Sequence, residues 1–184
     1  GTIYIIDISD PANPAPISKI ETGDLKQMEL VDGHLYITLG AQRRFSVYDI
    51  EDPDTAVAQL QNGSADAFGT TIILDRPQRF AIEGDLAVVP SRGGTVTVIN
   101  IGLPSAPFIE STLTHDDSGE YQYLEEPRGV AVHNQVAYIS AANSDAVTVV
   151  DLTAADAPVL LSVVRNGEFG VENIDSPQSI WVDD

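Results

Sequence analysis

The sequence predicts an all-β fold made of four-stranded antiparallel units, and three observations carry that prediction. An apolar run closed by Asp or Asn recurs at positions 7, 49, 100 and 151, at intervals of 42, 51 and 51 residues. A second column, Pro77, Pro127 and Pro177, repeats every 50 residues. Helical periodicity is absent between these landmarks. Four short strands in a period of about fifty residues is the pattern of β-propeller blades, and helix bundles, Rossmann folds and closed barrels do not produce it.

We label the strands of one unit A to D, with A following the proline column. Strand C is the clearest: Ile3-Tyr4-Ile5-Ile6-Asp7-Ile8, Phe45-Ser46-Val47-Tyr48-Asp49-Ile50, Val96-Thr97-Val98-Ile99-Asn100-Ile101 and Val147-Thr148-Val149-Val150-Asp151-Leu152. Turn residues follow each copy, as in Asp10-Pro11-Ala12-Asn13-Pro14, Asp52-Pro53, Pro104 to Pro107 and Asp156-Ala157-Pro158. Proline has no N–H for a ladder and a fixed φ, so each run is a bounded strand. Strands A and B form a hairpin ahead of C, with Asp32-Gly33, Glu83-Gly84 and His133-Asn134 at the turns; Gly and Asn tolerate the positive φ such turns need. Strand D is the short apolar segment after each C turn, as in Val159-Leu160-Leu161-Ser162-Val163-Val164.

The chain therefore reads as strands C-D, three complete A-B-C-D blades, and a final A at Ser179-Ile180-Trp181-Val182, fifteen strands in one propeller segment. Unit boundaries fall near 1–24, 25–75, 76–125, 126–175 and 176–184. This phase leaves a ring unclosed, so we expect further blades from the same or another chain.

Composition narrows the partners. Twenty-eight acids face nine bases, giving a net charge of −19, which repels phosphates and argues against nucleic acid. No segment has the run of about 18 apolar residues that a transmembrane helix needs. The absence of cysteine removes disulfides, cysteine-held zinc, iron–sulfur clusters and thiol nucleophiles.

The strand C column with its Asp-Pro-Ala-Asn-Pro turn, best seen from Ile3 to Pro14, together with the hairpin Gly129-Val130-Ala131-Val132 to Ala137-Tyr138-Ile139, resembles LVIVD-repeat proteins. The similarity runs through essentially the whole chain at the level of the repeat. Asn100 in place of the aspartate, and the third and fourth turns without Asp-Pro at its usual place, depart from it. The resemblance implies a bacterial or archaeal extracytoplasmic (periplasmic, secreted or cell-surface) propeller, often part of a large surface protein, with no shared catalytic residues. The function expected is a non-catalytic scaffold for protein or glycan interaction or surface assembly. The competing reading is a lactonase-like hydrolase or lyase, with its site on the D-to-A loop face and calcium as its candidate ion.

Three sets of residues are candidates for chemistry. The D-to-A connections lengthen to 62–76, 114–126 and 165–176 and emerge on one face of a propeller, where long loops commonly carry function. In the second of them, Asp116, Asp117 and Glu120 are the densest carboxylates and the calcium candidates, against the alternative of a plain solvated loop. Tyr121 and Tyr123, with Phe169 in the third loop, are candidate exposed contacts. Lys26, Gln78, Arg128 and Gln178 place a donor at the start of every strand A. Innermost strands line the channel, so this column could hold an acidic or carbonyl-bearing ligand at its mouth. The reading favoured by sequence is that each donor satisfies a carbonyl of the next blade. His34, His115 and His133 occupy three different repeat positions, and Trp181 is expected to pack within a blade. No cofactor is required by any of these residues.

Overall fold

The computed structural model describes residues 1–183 and contains fourteen strands among them, with no helix. They form one two-stranded and three four-stranded antiparallel sheets. The first sheet is β1 (Thr2–Asp7) and β2 (Ala15–Glu21). The next holds β3 (Leu25–Val31), β4 (His34–Leu39), β5 (Arg44–Asp49) and β6 (Ala56–Gln61). The third holds β7 (Ala81–Glu83), β8 (Leu86–Ser91), β9 (Thr95–Asn100) and β10 (Phe108–Thr114). The fourth holds β11 (Pro127–His133), β12 (Val136–Ala141), β13 (Ala146–Asp151) and β14 (Val159–Arg165). Strand order follows chain order in every sheet, so each is a meander, the blade expected from the repeat.

The repeated Asp or Asn closing strand C has one job in all four copies. The side-chain Oδ1 of Asp7, Asp49, Asn100 and Asp151 accepts the backbone N–H two residues on, at 2.8, 2.9, 3.0 and 2.8 Å. This Asx turn starts the C-to-D connection and needs only an oxygen acceptor, which is why asparagine substitutes at 100. A further tie secures the hairpins: the N–H groups of Ile50, Ile101 and Leu152 donate to the carbonyls of Gly33, Asp85 and Gln135 in the A-to-B turns.

Apolar residues on both faces of the sheets fill the wedges between blades. Phe45, Val47, Tyr36 and Leu60 from the second sheet meet Ala87, Val89 and Ile99 from the third. Val88, Val96, Val98 and Leu113 on the opposite face of the third sheet meet Ala137, Ile139 and Val150 from the fourth. Ile3 and Ile20 meet Leu35, Ile37 and Tyr48 in the same way. Parts of the long loops join in, since Ile72, Leu74 and Leu124 are buried in these wedges. The hydroxyls of Thr97 and Thr148 donate to the loop carbonyls of Ile73 and Tyr123 at 2.6 and 3.0 Å, pinning each loop to the sheet that follows it.

Two features depart from the expected strands. The segment 179–182 forms no ladder and is not a strand. A strand needs a hydrogen-bonding neighbour, and among the described residues none pairs with it. Trp181, expected to pack in a blade, is accordingly 77% exposed. The segment still runs closely over β11: a Cβ on Gly129 would lie 2.7 Å from the Cα of Ser179, so glycine allows this approach. The second feature is β7, three residues long against seven in β3 and β11. Its partner strand carries Pro90, which accepts from Gln78 N–H but has no N–H to return.

Bulges recur where the sequence gives no sign of them. One residue of each D strand is skipped in the pairing with strand C: Ile17, Val57, Glu110 and Leu161. Ile17, Val57 and Leu161 are exposed despite their apolar side chains, as expected where the extra residue of a bulge is turned out of the ladder.

Phe45, fully buried with its ring 5.6 Å from Phe80 of the next unit, sets the scale of wedge packing. Phe45→Ala should lower stability by about 3–5 kcal/mol, read from the urea midpoint. Phe68→Ala, at an exposed loop ring whose one aromatic contact among the described residues is edge-on to Phe108 at 4.9 Å, should lower stability by only about 0.5–1.5 kcal/mol.

Candidate functional site

The D-to-A loops and the B-to-C turns share one face of the blades, and the turns are stitched to the loop ends. Gly40, Arg92 and Ala142 N–H groups donate to the carbonyls of Asp24, Arg76 and Glu126 at 2.9, 3.1 and 3.1 Å. Arg76, Glu126 and Ser176, each immediately before a column proline, have positive φ of 60°, 53° and 45°. The left-handed region is unfavourable for such residues and persists where surrounding bonds fix it. Here it turns the chain from loop into strand A, at the rim that would form the mouth of a propeller's channel.

The four donors of the strand A column meet at this mouth. Lys26, Gln78, Arg128 and Gln178 line one cavity of about 260 Å³ together with Leu25 and Arg79. Lys26 and Arg128 are skipped in the A-to-B register, so they sit at bulges, a device that re-aims side chains. Their hydrogen bonds are mostly local. Lys26 Nζ pairs with Asp24 at 2.8 Å, Gln78 Nε2 donates to the carbonyls of Arg76 and Pro77, and Gln178 Nε2 donates to that of Ser176. Arg128 is the one that crosses units, donating to Gln178 Oε1 as well as to Glu126. The expected bonds to the next blade come instead from neighbouring positions: Gln27 Nε2 donates to Phe80 O and Thr38 Oγ1 to Gln78 O, both at 2.7 Å.

Glu126 is the electrostatic pivot of the mouth. Burial raises its pKa, but hydrogen bonds and charge from Arg128 and Arg92 outweigh that and hold it below the ordinary carboxylate value. The two guanidinium groups are thereby fixed side by side from different blades.

The acidic loop residues behave differently from one another. Asp116 accepts Ser118 N–H at 3.1 Å, closing its own turn, while Asp117 lies 3.2 Å from His115 Nε2 and is otherwise open to solvent. Among the described residues no three His, Asp or Glu side chains are grouped to hold a metal, so Asp116, Asp117 and Glu120 are not brought together as a calcium cage. Asp66 acts as a structural tie, because its carboxylate accepts N–H groups of Phe68, Thr70 and Ile109 and so binds the first long loop to β10. Burial raises its pKa, and these bonds more than reverse the effect.

Of the aromatic candidates, Phe169 is 82% exposed. Tyr121 and Tyr123 are instead partly buried. Tyr121 donates its hydroxyl to Pro158 O, and Tyr123 accepts from Arg165, whose guanidinium also stands 4.8 Å from its ring centroid. Alternating exposure along a loop could not reveal these partners, because both lie about forty residues away in sequence.

One residue was not singled out from sequence. Glu29 is partly buried on β3, in a groove of about 410 Å³ lined by Phe80, Ile82, Val130, Ile180 and Trp181. Burial alone pushes its pKa up, and among the described residues its carboxylate has no hydrogen-bond or ionic partner. The signal was present in the repeat: Ala81 and Ala131 occupy the equivalent register positions.

No family model matches this chain, and no curated protein matches it. Solved structures do. A protein from Lactobacillus plantarum superposes with a TM-score of 0.67 and 11% identity, over 90% of this chain and 51% of its own. The WD40 repeats of RRP9 give 0.59 and 10% identity over 79% and 39%. The glutaminyl cyclase of Myxococcus xanthus gives 0.51 and 16% identity over 78% and 51%. This chain thus spans about half, or less, of the length of these structures. At such identities the likeness shows the fold alone, and the fold is that of β-propeller blades.

The raised pKa of Glu29 fixes the sign of a pH effect. Its folded form favours the proton, so a destabilising contribution appears as pH rises above the ordinary carboxylate range and is absent below it. Glu29→Gln should raise the melting temperature at pH 7, with the gain vanishing near pH 3; thermal melts across pH check it.

Proposed function

We propose that this chain is part of a non-catalytic extracytoplasmic β-propeller scaffold, whose open flanks take further blades and whose loop face engages a protein or glycan. One observation carries the reading. Tyr4 and Ile6 on β1 are 63% and 50% exposed, whereas their equivalents in the three complete blades, Ser46, Thr97 and Thr148, and Tyr48, Ile99 and Val150, are at most 9% exposed. Ile8, equivalent to the buried Ile101 and Leu152, is 69% exposed. The face that every other sheet covers with its predecessor is thus open on the first hairpin.

That face is chemically ready for a blade. Ile6 and Ile8 match Ile99, Val150, Ile101 and Leu152, which fill the internal wedges, while Tyr4 stands where the other blades carry Ser or Thr. Exposed apolar area of this kind marks an interaction surface. The complementary face of the last blade supports the same reading, since Tyr138, Val147 and Val149 are only partly covered while the equivalent Val88, Val96 and Val98 are fully buried. The two flanks are of opposite type, so they suit head-to-tail addition of blades from the same or another chain. The extracytoplasmic setting rests on the repeat resemblance and on the acidic charge, and the open flanks support assembly with further blades.

Sedimentation of the 184-residue chain tests this reading. We expect concentration-dependent association, weakened by the double substitution Tyr4→Ser and Ile6→Ser. A chain that stays monomeric at all concentrations and binds no hydrophobic dye would overturn it.

A further inference from the structure

We propose that the channel mouth is a binding site for a small multivalent oxyanion, a polycarboxylate or a phosphate-bearing metabolite. The inference goes beyond ring completion, which concerns the flanks, and rests on where a strongly acidic protein keeps its few cations. Five of the nine basic residues, Lys26, Arg76, Arg79, Arg92 and Arg128, line three cavities that run into one another on this face. The cavity at the donor column shares Lys26 and Gln78 with a smaller one of about 150 Å³. That one shares Arg76 and Arg92 with a third of about 340 Å³. Among the described residues, Asp24, Glu125 and Glu126 bring carboxylates to the lining. The depression is locally cationic on a chain of net charge −19.

The state of those cations is the second observation. Arg43, Arg92, Arg128 and Arg165 are paired with carboxylates, and Arg44 donates to Gln61. Arg76 and Arg79 are the two arginines without a side-chain hydrogen bond or ion pair among the described residues. Arg128 adds a buried Nε–H with no acceptor. In a sequence with 28 acids, unpaired guanidinium groups flanking Pro77 and Gln78 at a cavity edge are donors left over for something else. Guanidinium forks match planar or tetrahedral oxyanions by two parallel hydrogen bonds.

Geometry limits the ligand. Each cavity lies near or below the lower end of the volumes that hold drug-sized molecules, about 300 Å³, so a compact anion fills one of them. The amides of Gln78 and Gln178 are turned to local carbonyls and leave the charged groups to set selectivity. The surrounding negative surface excludes anions except where the cations focus the field, which favours a ligand carrying several charges over chloride.

Calorimetric titration of the full chain at low ionic strength, with citrate and with inorganic pyrophosphate up to about ten millimolar, tests the proposal. We expect at least one of them to bind, with affinity falling as salt rises. The double substitution Arg76→Gln and Arg79→Gln should weaken binding at least tenfold, and Lys19→Gln, on β2, should leave it unchanged. Since neither guanidinium makes a hydrogen bond or ion pair among the described residues, circular dichroism of the double variant should match the parent. Preference for citrate or for pyrophosphate assigns the carboxylate or the phosphate source. Absence of heat with both anions, or equal binding by the parent and the double variant, would overturn the site while leaving the sedimentation result untouched.

Discussion

A four-stranded sheet with apolar side chains on both faces cannot stand alone in water, and this constraint organises the whole chain. Each internal wedge is filled from both sides, Phe45 and Val47 against Val89 and Ile99, then Val96 and Val98 against Ile139 and Val150. Fully burying each such side chain contributes about 1.5–3 kcal/mol, so a blade draws much of its stability from its neighbours, as in other repeat architectures. The same constraint explains the loops. Ile72, Leu74 and Leu124 leave the ordinary path of a surface connection to cap the wedges, and the threonine hydroxyls on β9 and β13 hold them there.

The loops in turn shape the mouth. A connection anchored in the wedge must bend sharply into strand A, and it does so at Arg76, Glu126 and Ser176 in the left-handed region. That bend delivers Arg76 and Glu126 to the same rim at which the bulges present Lys26 and Arg128. Packing between blades thus becomes charge placement at the channel, and Glu126 joins the two by binding Arg92 and Arg128 from different blades.

Much of this was legible in the residues themselves. The column of Asp7, Asp49, Asn100 and Asp151 marked the strand C ends because an Asx turn is a local interaction, read within two residues. The donor column of Lys26, Gln78, Arg128 and Gln178 was visible as a repeat, and these four side chains line one cavity. What sequence could not supply was non-local. Tyr121 and Tyr123 were turned inward by Pro158 and Arg165, Asp66 was taken up by Ile109 N–H, and the D-strand bulges have no residue signature. Strand pairing is also non-local, so the apolar pattern of 179–182 was insufficient to make a strand. Glu29 was visible as a break in an alanine column, but its meaning depended on the groove around it.

If wedge packing is the source of stability, protection from solvent must follow the number of covered faces. Hydrogen exchange on the isolated chain measures this strand by strand. Exchange should be slowest in β8 and β9, covered on both faces, and the fastest strand exchange should lie in β1 and β2, where Tyr4 and Ile6 are open. Uniform protection across all four sheets, or a first hairpin as slow as the central blade, would contradict wedge packing as the source of stability.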